Sequence, residues 1–155
     1  MKRASALVAT LVAAVLVSAC GSSPTDSTTA SSVTITAAAD PVTATASTDA
    51  AYTWSASVPL TLSESAGVAF DIASVNAKIE PASAGIVVVN TEATTFRYQL
   101  LATGNHVAAK GSLGVTVNFL YTIPGGGREA LVTVTFTIYD EAGYAYQQSK
   151  QVKVI

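Results

Sequence analysis

The sequence predicts an all-β protein, an antiparallel β-sandwich of about seven or eight strands, and three observations favour this fold class. Hydrophobic side chains recur at every second residue through most of the chain, which is typical of strands with one buried and one solvated face. Short clusters of turn-forming residues separate these runs. No window carries a sustained apolar stripe at helical spacing, so we expect no helix longer than about two turns.

The alternation locates the strands one after another. The first run is Val33-Thr34-Ile35-Thr36, and the others repeat this apolar-polar pattern. The predicted strands lie near 32–38, 51–63, 67–80, 86–91, 94–102, 112–123, 129–140 and 144–155. The turn signals between them are Asp40-Pro41, Ser65-Ala66-Gly67, Pro81 to Gly85, Gly104-Asn105, Pro124 to Gly127 and Glu141-Ala142-Gly143. The count is seven or eight, depending on whether 86–91 forms a strand.

The last hairpin allows a prediction of register. If Tyr139 paired directly with Tyr144, the apolar set that ends at Ile138 would face polar residues of the final strand, because a one-residue slip reverses every side chain. We therefore expect an odd-length loop, or a bulge, that places Ile138 opposite Tyr144. Gly143 suits the positive φ that such a turn requires.

The N-terminal segment has the pattern of a signal peptide. Lys2 and Arg3 provide a basic start, and the apolar run from Ala4 to Val17 is shorter than the roughly 20 residues that span a bilayer. The run ends in Val17-Ser18-Ala19-Cys20, which resembles the lipobox of bacterial lipoproteins. The resemblance implies cleavage between Ala19 and Cys20 and a diacylglyceryl group on the Cys20 thiol, commonly with N-acylation of the new terminus.

This resemblance also implies a location in the bacterial cell envelope, with the lipid as the attachment to the membrane. In Gram-negative hosts the residue after the lipidated cysteine influences sorting. Gly21 is not the aspartate that retains lipoproteins at the inner membrane, so the outer membrane is favoured if the host is Gram-negative. An ordinary secretory signal with an incidental cysteine is the alternative interpretation.

Three regions follow from these patterns. Residues 1–19 form the signal peptide, and residues 20–31 form a Ser/Thr-rich tether that begins with the lipidated Cys20. About twelve such residues give a typical reach of roughly 20 Å. Residues 32–155 form the sandwich domain. Cys20 is the only cysteine, so the domain has no intramolecular disulfide and depends on its apolar core.

The end of the chain resembles bacterial immunoglobulin-like domains. The segment from Val132 to Gly143, closed by Val152-Lys153-Val154, has an alternating strand that runs into Asp-x-x-Gly and a final strand that completes the sheet. The chain departs from the family in lacking a cysteine pair, in placing Trp54 on the second long strand, and in showing no clear tyrosine corner. A fibronectin type III-like topology therefore remains open. The resemblance implies adhesion, spacing or assembly, between which the fold does not decide.

Composition excludes some partners. Removal of residues 1–19 removes two basic residues and no acid, which leaves six basic and ten acidic residues and a formal net charge of −4. A mildly acidic domain has no electrostatic footprint for nucleic acid. It also lacks a polybasic patch for anionic lipid. We expect no nucleic-acid partner and no cofactor.

Few residues support catalysis. His106 is the only histidine, and neither a zinc-type ligand set nor a Gly-x-Ser-x-Gly motif accompanies it. We interpret it as an exposed loop histidine. Asp140 and Glu141, with Asp71 or Asp49, could hold calcium, but Asp140 is better explained as a turn-capping residue. Gly125-Gly126-Gly127-Arg128 lacks the ending of a phosphate-binding loop and fits a hairpin connection.

The aromatic residues offer the remaining candidate site. Tyr139, Tyr144 and Tyr146 cluster near one hairpin end, with Phe96 and Tyr98 elsewhere in the sequence. Exposed aromatics bind sugar rings or protein partners, although ordinary cross-strand packing and core filling is the simpler explanation. We expect a non-catalytic envelope lipoprotein that binds or assembles with a protein or glycan. A small envelope hydrolase or metal-dependent enzyme that uses His106 or a carboxylate cluster, and a purely structural lipoprotein, are the alternatives.

Overall fold

A computed structural model describes residues 29–88 and 93–155. Ten strands form in this part of the chain, and the only helical element there is a 3-10 turn at Pro124–Gly126. The strands are β1 (Val33–Ala37), β2 (Thr45–Ala46), β3 (Trp54–Glu64), β4 (Phe70–Ser83), β5 (Ile86–Val87), β6 (Thr95–Ala102), β7 (His106–Val107), β8 (Ser112–Thr122), β9 (Ala130–Asp140) and β10 (Ala145–Val154). All long strands coincide with predicted ones.

The strands form two antiparallel sheets. Sheet I has the order β1-β3-β8-β6, with β2 beside β3, and sheet II has the order β10-β9-β4-β5, with β7 beside β4. This is the ABED and CFG arrangement of a constant-type immunoglobulin sandwich. The predicted fold class is confirmed, and the pairing of β6 with β8 decides the strand order that the sequence left open.

The core lies between the two sheets and comes from the alternation that predicted the strands. Every second residue of β3, β8 and β9 is buried, and the facing residues of these strands form one apolar cluster. Among its fully buried members are Val58, Leu62, Val117, Phe119, Tyr121, Phe136 and Ile138. One shared core explains how the chain folds without a disulfide.

The prediction of a loop at His106 was wrong. The strand count was left open at the segment 86–91, of which Ile86–Val87 forms the two-residue strand β5, and residues 89–92 lie outside the described residues. His106 lies in β7 instead of a loop, because it pairs with Asp71 of β4. Ser31 already packs into the sandwich and is buried, one residue before the predicted domain boundary at 32.

The last hairpin has the predicted parity but a different partner for Ile138. Ile138 lies opposite Tyr146, not Tyr144, because Tyr144 belongs to the turn beside Asp140. The backbone N–H of Gly143 donates to the Asp140 carbonyl (3.0 Å), and Gly143 has φ 89°. The turn therefore has an odd-length, three-residue loop of the type I plus G1-bulge kind, as expected from Gly143.

A buried tyrosine closes one end of the sandwich. The Tyr121 hydroxyl at the end of β8 donates to the carbonyl of Arg128 (2.7 Å). Burial raises the pKa of Tyr121 to about 12, against a smaller opposing effect of the Arg128 charge, so the phenol remains a donor. The indole of Trp54 donates to Gly127 (2.9 Å) beside it. We call this the far end, because Ser31 enters at the opposite end, here called the tether end.

Candidate functional site

Two buried carboxylates organise the tether end. Glu64 is the last residue of β3, and Asp140 is the last residue of β9. Both are almost fully shielded from solvent, yet neither has a cationic side chain as partner among the described residues. Backbone N–H groups bind them instead.

Glu64 accepts four backbone hydrogen bonds. The donors are the N–H groups of Ser32 (3.1 Å), Ala66 (2.7 Å), Gly67 (2.7 Å) and Lys110 (2.9 Å). Burial alone would raise the pKa of this carboxyl, but these donors outweigh it and lower the pKa to about 2. Glu64 therefore stays ionised. Its carboxylate links Ser32, where the chain enters the sandwich, to the turn at Ala66-Gly67 and to the turn at Lys110.

Asp140 does the same for the last hairpin. One carboxylate oxygen accepts from the N–H (2.8 Å) and the hydroxyl (3.1 Å) of Ser31, and the other accepts from the N–H of Tyr144 (2.8 Å). Burial opposes ionisation, yet the hydrogen bonds lower the pKa of Asp140. Its oxygens are committed to this structural role, as its interpretation as a turn-capping residue requires.

The three tyrosines of the predicted site do not form one platform. Tyr139 points outward from sheet II and is 55% exposed, whereas Tyr146 faces inward opposite Ile138. The hydroxyl of Tyr146 hydrogen-bonds to the hydroxyl and carbonyl of Ser31, so this side chain holds the chain entry. Tyr144 is exposed at the turn itself. Tyr139 and Tyr144 stay predicted contact residues.

Asp71 lies between His106 and Tyr139 on the outer face of sheet II. The β7–β4 and β4–β9 registers place His106, Asp71 and Tyr139 in one row across three strands. The ring Nδ1 of His106 lies 3.0 Å from Asp71 Oδ1, and both side chains are exposed. Within residues 29–88 and 93–155, the His106 ring makes no other hydrogen bond. The row presents an aromatic face beside an acid–imidazole pair.

The carboxylates considered for calcium are not brought together. Asp49 lies near the far end, where it pairs with Arg97 (3.2 Å), while Asp71 faces outward and Asp140 faces inward. No group of three or more His, Cys, Asp or Glu side chains that could hold a metal ion occurs in the described part of the chain. The segment from Gly125 to Arg128 lies in the connection between β8 and β9, which contains the 3-10 turn Pro124–Gly126. The prediction of a hairpin connection was wrong, because β8 belongs to sheet I and β9 to sheet II, so this segment crosses from one sheet to the other.

The two long sides of the sandwich differ. On the closed side, formed by β1 and β10, the segment 42–44 adds a parallel bridge to the end of β10. On the open side, formed by β4 and β6, the two sheets make little contact. Eight large apolar side chains are exposed among the described residues, and six of them lie on the open side. The six are Ile86, Val87, Val88, Phe96, Leu100 and Leu101.

The outer sheet faces carry shallow depressions. One of them, about 530 Å³, lies over β6 and β8 and is lined by Arg97, Gln99, Asn118 and Leu120. A second, about 420 Å³, lies over sheet II among Ser, Thr, Asn, Gln and Lys side chains.

No helix in the described residues has the length and apolar character needed to cross a membrane. The surfaces available for contact with a partner include the row of His106, Asp71 and Tyr139 and the exposed apolar residues of the open side.

The strand order and the absence of a helical layer in the described residues define the class: a constant-type immunoglobulin-like sandwich. No family model and no curated protein matches the chain. Among solved structures, the crystal structure of the yeast GGA1_GAE domain-P21 is similar, with 9% sequence identity and a TM-score of 0.45. The match covers 79% of this chain and 91% of that chain.

Proposed function

We propose that this chain is an exported lipoprotein of the bacterial envelope whose sandwich domain is a non-catalytic binding or assembly module. The observation that carries the proposal is the sequence Val17-Ser18-Ala19-Cys20 after a basic and apolar leader. Lipid chains on Cys20 supply about 0.8 kcal/mol per buried methylene, and two or three chains hold a protein at a bilayer almost permanently.

The tether end of the sandwich supports this arrangement. Ser31 and Ser32 are held by Asp140 and Glu64, so a pull on the tether reaches the ends of β3 and β9 directly. The far end, with Trp54 and Tyr121, lies on the other side of the domain. A lipidated Cys20 would place the tether end near the bilayer and direct the far end away from it.

The binding surface that we propose is the row of His106, Asp71 and Tyr139. Tyr139 offers an exposed ring for stacking, and the adjoining Asp71 and His106 offer a hydrogen-bond acceptor and a ring nitrogen. Exposed aromatics beside polar groups suit both sugar rings and protein partners. Tyr144, at the turn of the same hairpin, extends the surface towards the tether end.

The anchor is tested by mass spectrometry of the full chain produced in its native host. We expect a protein that begins at residue 20 and carries acyl chains on Cys20. The Cys20→Ser variant should keep its leader and lack lipid, whereas the neighbouring Ser22→Ala variant should be processed normally. An unmodified Cys20 thiol, or an intact leader on the wild-type chain, would overturn the anchor.

The binding surface is tested separately by photo-crosslinking in cells. A benzophenone amino acid replaces Tyr139 in the full chain, and the matched control carries it at Ser149, which is exposed on the outer face of β10. We expect a discrete adduct with a protein or glycan from position 139 only. The same weak background from both positions would count against Tyr139 as a contact.

A second candidate function is a small hydrolase in which His106 is the base and Asp71 orients it. The 3.0 Å contact between His106 Nδ1 and Asp71 favours this candidate, since such pairs fix the tautomer of a catalytic imidazole. Replacement of His106 by Ala distinguishes the two proposals. An unchanged phenotype removes the enzyme, while loss of function with retained partner crosslinking supports it.

A further inference from the structure

Sheet edges expose unpaired backbone groups, and three of the four edges of this sandwich are protected. β1 has only five residues, and the chain after it pairs with β10. β10 carries Lys150, half-buried, on its inward face, which is a known protection against edge-to-edge pairing. The outer edge of β4 is paired at one end by β7 and at the other by β5, with a bulge between Ile72 and Ser74.

The fourth edge, β6, has none of these protections. Its sequence Thr-Phe-Arg-Tyr-Gln-Leu-Leu-Ala is eight residues long, and it contains no proline and a single charge, at Arg97. The register with β8 is regular from Thr95 to Ala102, without a bulge. Only one long side of β6 is paired among the described residues, and a long flat apolar edge of this kind accepts another strand.

The side chains of β6 show what that strand must supply. Phe96, Tyr98 and Leu100 lie opposite Tyr121, Phe119 and Val117, so they point inward. Tyr98 is half-buried against Phe119, but Phe96 and Leu100 remain partly exposed because β4 does not cover them. Arg97, Gln99 and Leu101 point outward. The matching strand brings apolar residues to the inner face and no positive charge opposite Arg97.

We propose that β6 of a second copy of this chain is that strand, paired antiparallel about a two-fold axis at Tyr98. A two-fold axis perpendicular to the sheet places one residue opposite itself and keeps both inner faces on the same side. With Tyr98 at the axis, each Phe96 lies opposite Leu100 of the second copy. Both partly exposed apolar residues are then buried on the inner face.

The charge pattern favours this occupant and this register. Arg97 lies opposite Gln99 of the second copy, whose amide oxygen can accept its hydrogen bonds, and each Arg97 keeps its own Asp49 partner. A register centred on Arg97 would oppose two guanidinium groups, which is destabilising, and would also shorten the paired segment. In this register, β6 therefore matches β6 of the second copy both in its apolar inner residues and in its polar outer residues. The inference is independent of the anchor and of the Tyr139 surface.

Disulfide trapping in the full chain, in its host, tests the register. One population carries Arg97→Cys and a second, with a different tag, carries Gln99→Cys. Directly opposite residues have Cα atoms about 4.5–5.5 Å apart, within disulfide range. We expect a mixed dimer between the two tags as the main product. Thr34→Cys and Thr36→Cys chains, which place thiols on exposed positions of β1, form the matched control.

Two further variants distinguish pairing through β6 from misfolding and from random collision. Leu100→Lys inserts a charge opposite Phe96 of the second copy and should abolish the trapped dimer, while Tyr139→Lys, on another surface, should leave it unchanged. Dimers of Gln99→Cys alone in equal yield would overturn the Tyr98 register. No mixed dimer, or equal trapping by the β1 control, would overturn the pairing of β6.

Discussion

The closed and open sides of the sandwich are both built from antiparallel strands, but they differ in how the two sheets are joined. On the closed side, hydrogen bonds join the two sheets at both ends, through side chains at the tether end and between backbone groups at the far end. Asp140 and Tyr146 hold Ser31 at the tether end, and Val42 exchanges hydrogen bonds with Lys153 (2.8 Å) and Ile155 (2.9 Å) at the far end. On the open side, β6 meets solvent with apolar side chains.

The difference shows that burial alone does not close a sandwich edge. The chain after β1 changes sheets around the cis Asp40–Pro41 bond, and its backbone then pairs with β10. β4 and β6 have no such crossing segment between them in the described residues, so their facing residues stay partly exposed. The closed side should therefore dominate stability, and the open side should dominate association.

The largest effect is expected from removing Val154 and Ile155. Val154 is fully buried, and Ile155 both donates to Val42 (2.9 Å) and accepts from Ala44 (2.7 Å). Loss of this burial and of two hydrogen bonds should destabilise the domain by roughly 3–5 kcal/mol. Urea unfolding followed by the fluorescence of Trp54, the only tryptophan, measures it. A loss below 1 kcal/mol would show that the far end does not close the sandwich.

The next effect is a dependence of stability on pH. The pKa of Glu64 is lowered from 4.5 to about 2, and the pKa of Asp140 is lowered as well. The stability from these groups is present above the unfolded pKa and is lost as pH falls through the folded pKa. Unfolding free energy should therefore fall between about pH 5 and pH 2.

Variants assign this acid effect to the tether end. Glu64→Gln should be less stable than wild type at pH 7, because an amide N–H₂ faces backbone donors, and the gap should narrow in acid. Glu80→Gln, which loses only an ion pair with Lys78 at the surface, serves as the control and should keep the wild-type profile. The same acid profile in Glu64→Gln as in wild type would refute the assignment.

A smaller effect is expected for Tyr146→Phe. The change removes the hydroxyl that bonds to Ser31 but keeps the ring opposite Ile138. Because Ser31 keeps its bonds to Asp140, we expect a loss of about 1 kcal/mol. Hydrogen exchange of the Ser31 and Ser32 amides should accelerate in the variant. Unchanged exchange of the Ser31 and Ser32 amides would show that the Tyr146 hydroxyl does not hold the chain at the tether end.

The smallest effect is expected on the open side. Ile86 is 74% exposed, so Ile86→Ala should change the unfolding free energy by less than about 0.5 kcal/mol. Val152→Ala, at a buried position of β10, is the matched change on the closed side and should cost about 2 kcal/mol. Equal effects of the two substitutions would remove the distinction between the sides.

The strand arrangement was largely predictable from the sequence. Alternation located every long strand, because buried faces in an antiparallel sheet impose a period of two. The parity of the last hairpin also followed, since a wrong parity would have placed Gln147 and Gln151 opposite the core residues of β9. The exact partner of Ile138 did not follow, because hydrophobic pattern fixes the face but leaves shifts of two residues equivalent.

The organisation of the tether end was not predictable. Glu64 ends an apolar alternation, and nothing in its sequence neighbours shows that Ser32 and Lys110 donate to it from distant loops. The short strands β2 and β7 carry only two residues each, too few for a periodic signal. The open side escaped notice because Phe96 and Leu100 have the alternation of buried residues, and exposure depends on whether another strand covers them.

The two ends of the described chain leave the sandwich in opposite directions, Ser31 at one end and Ile155 at the other. Antiparallel contact through β6 would turn one copy head to tail against its neighbour. If Cys20 carries the lipid that we propose, two molecules anchored in the same bilayer would have to lie along it to pair in this way. Molecules anchored in two facing membranes would pair upright and span the gap between them.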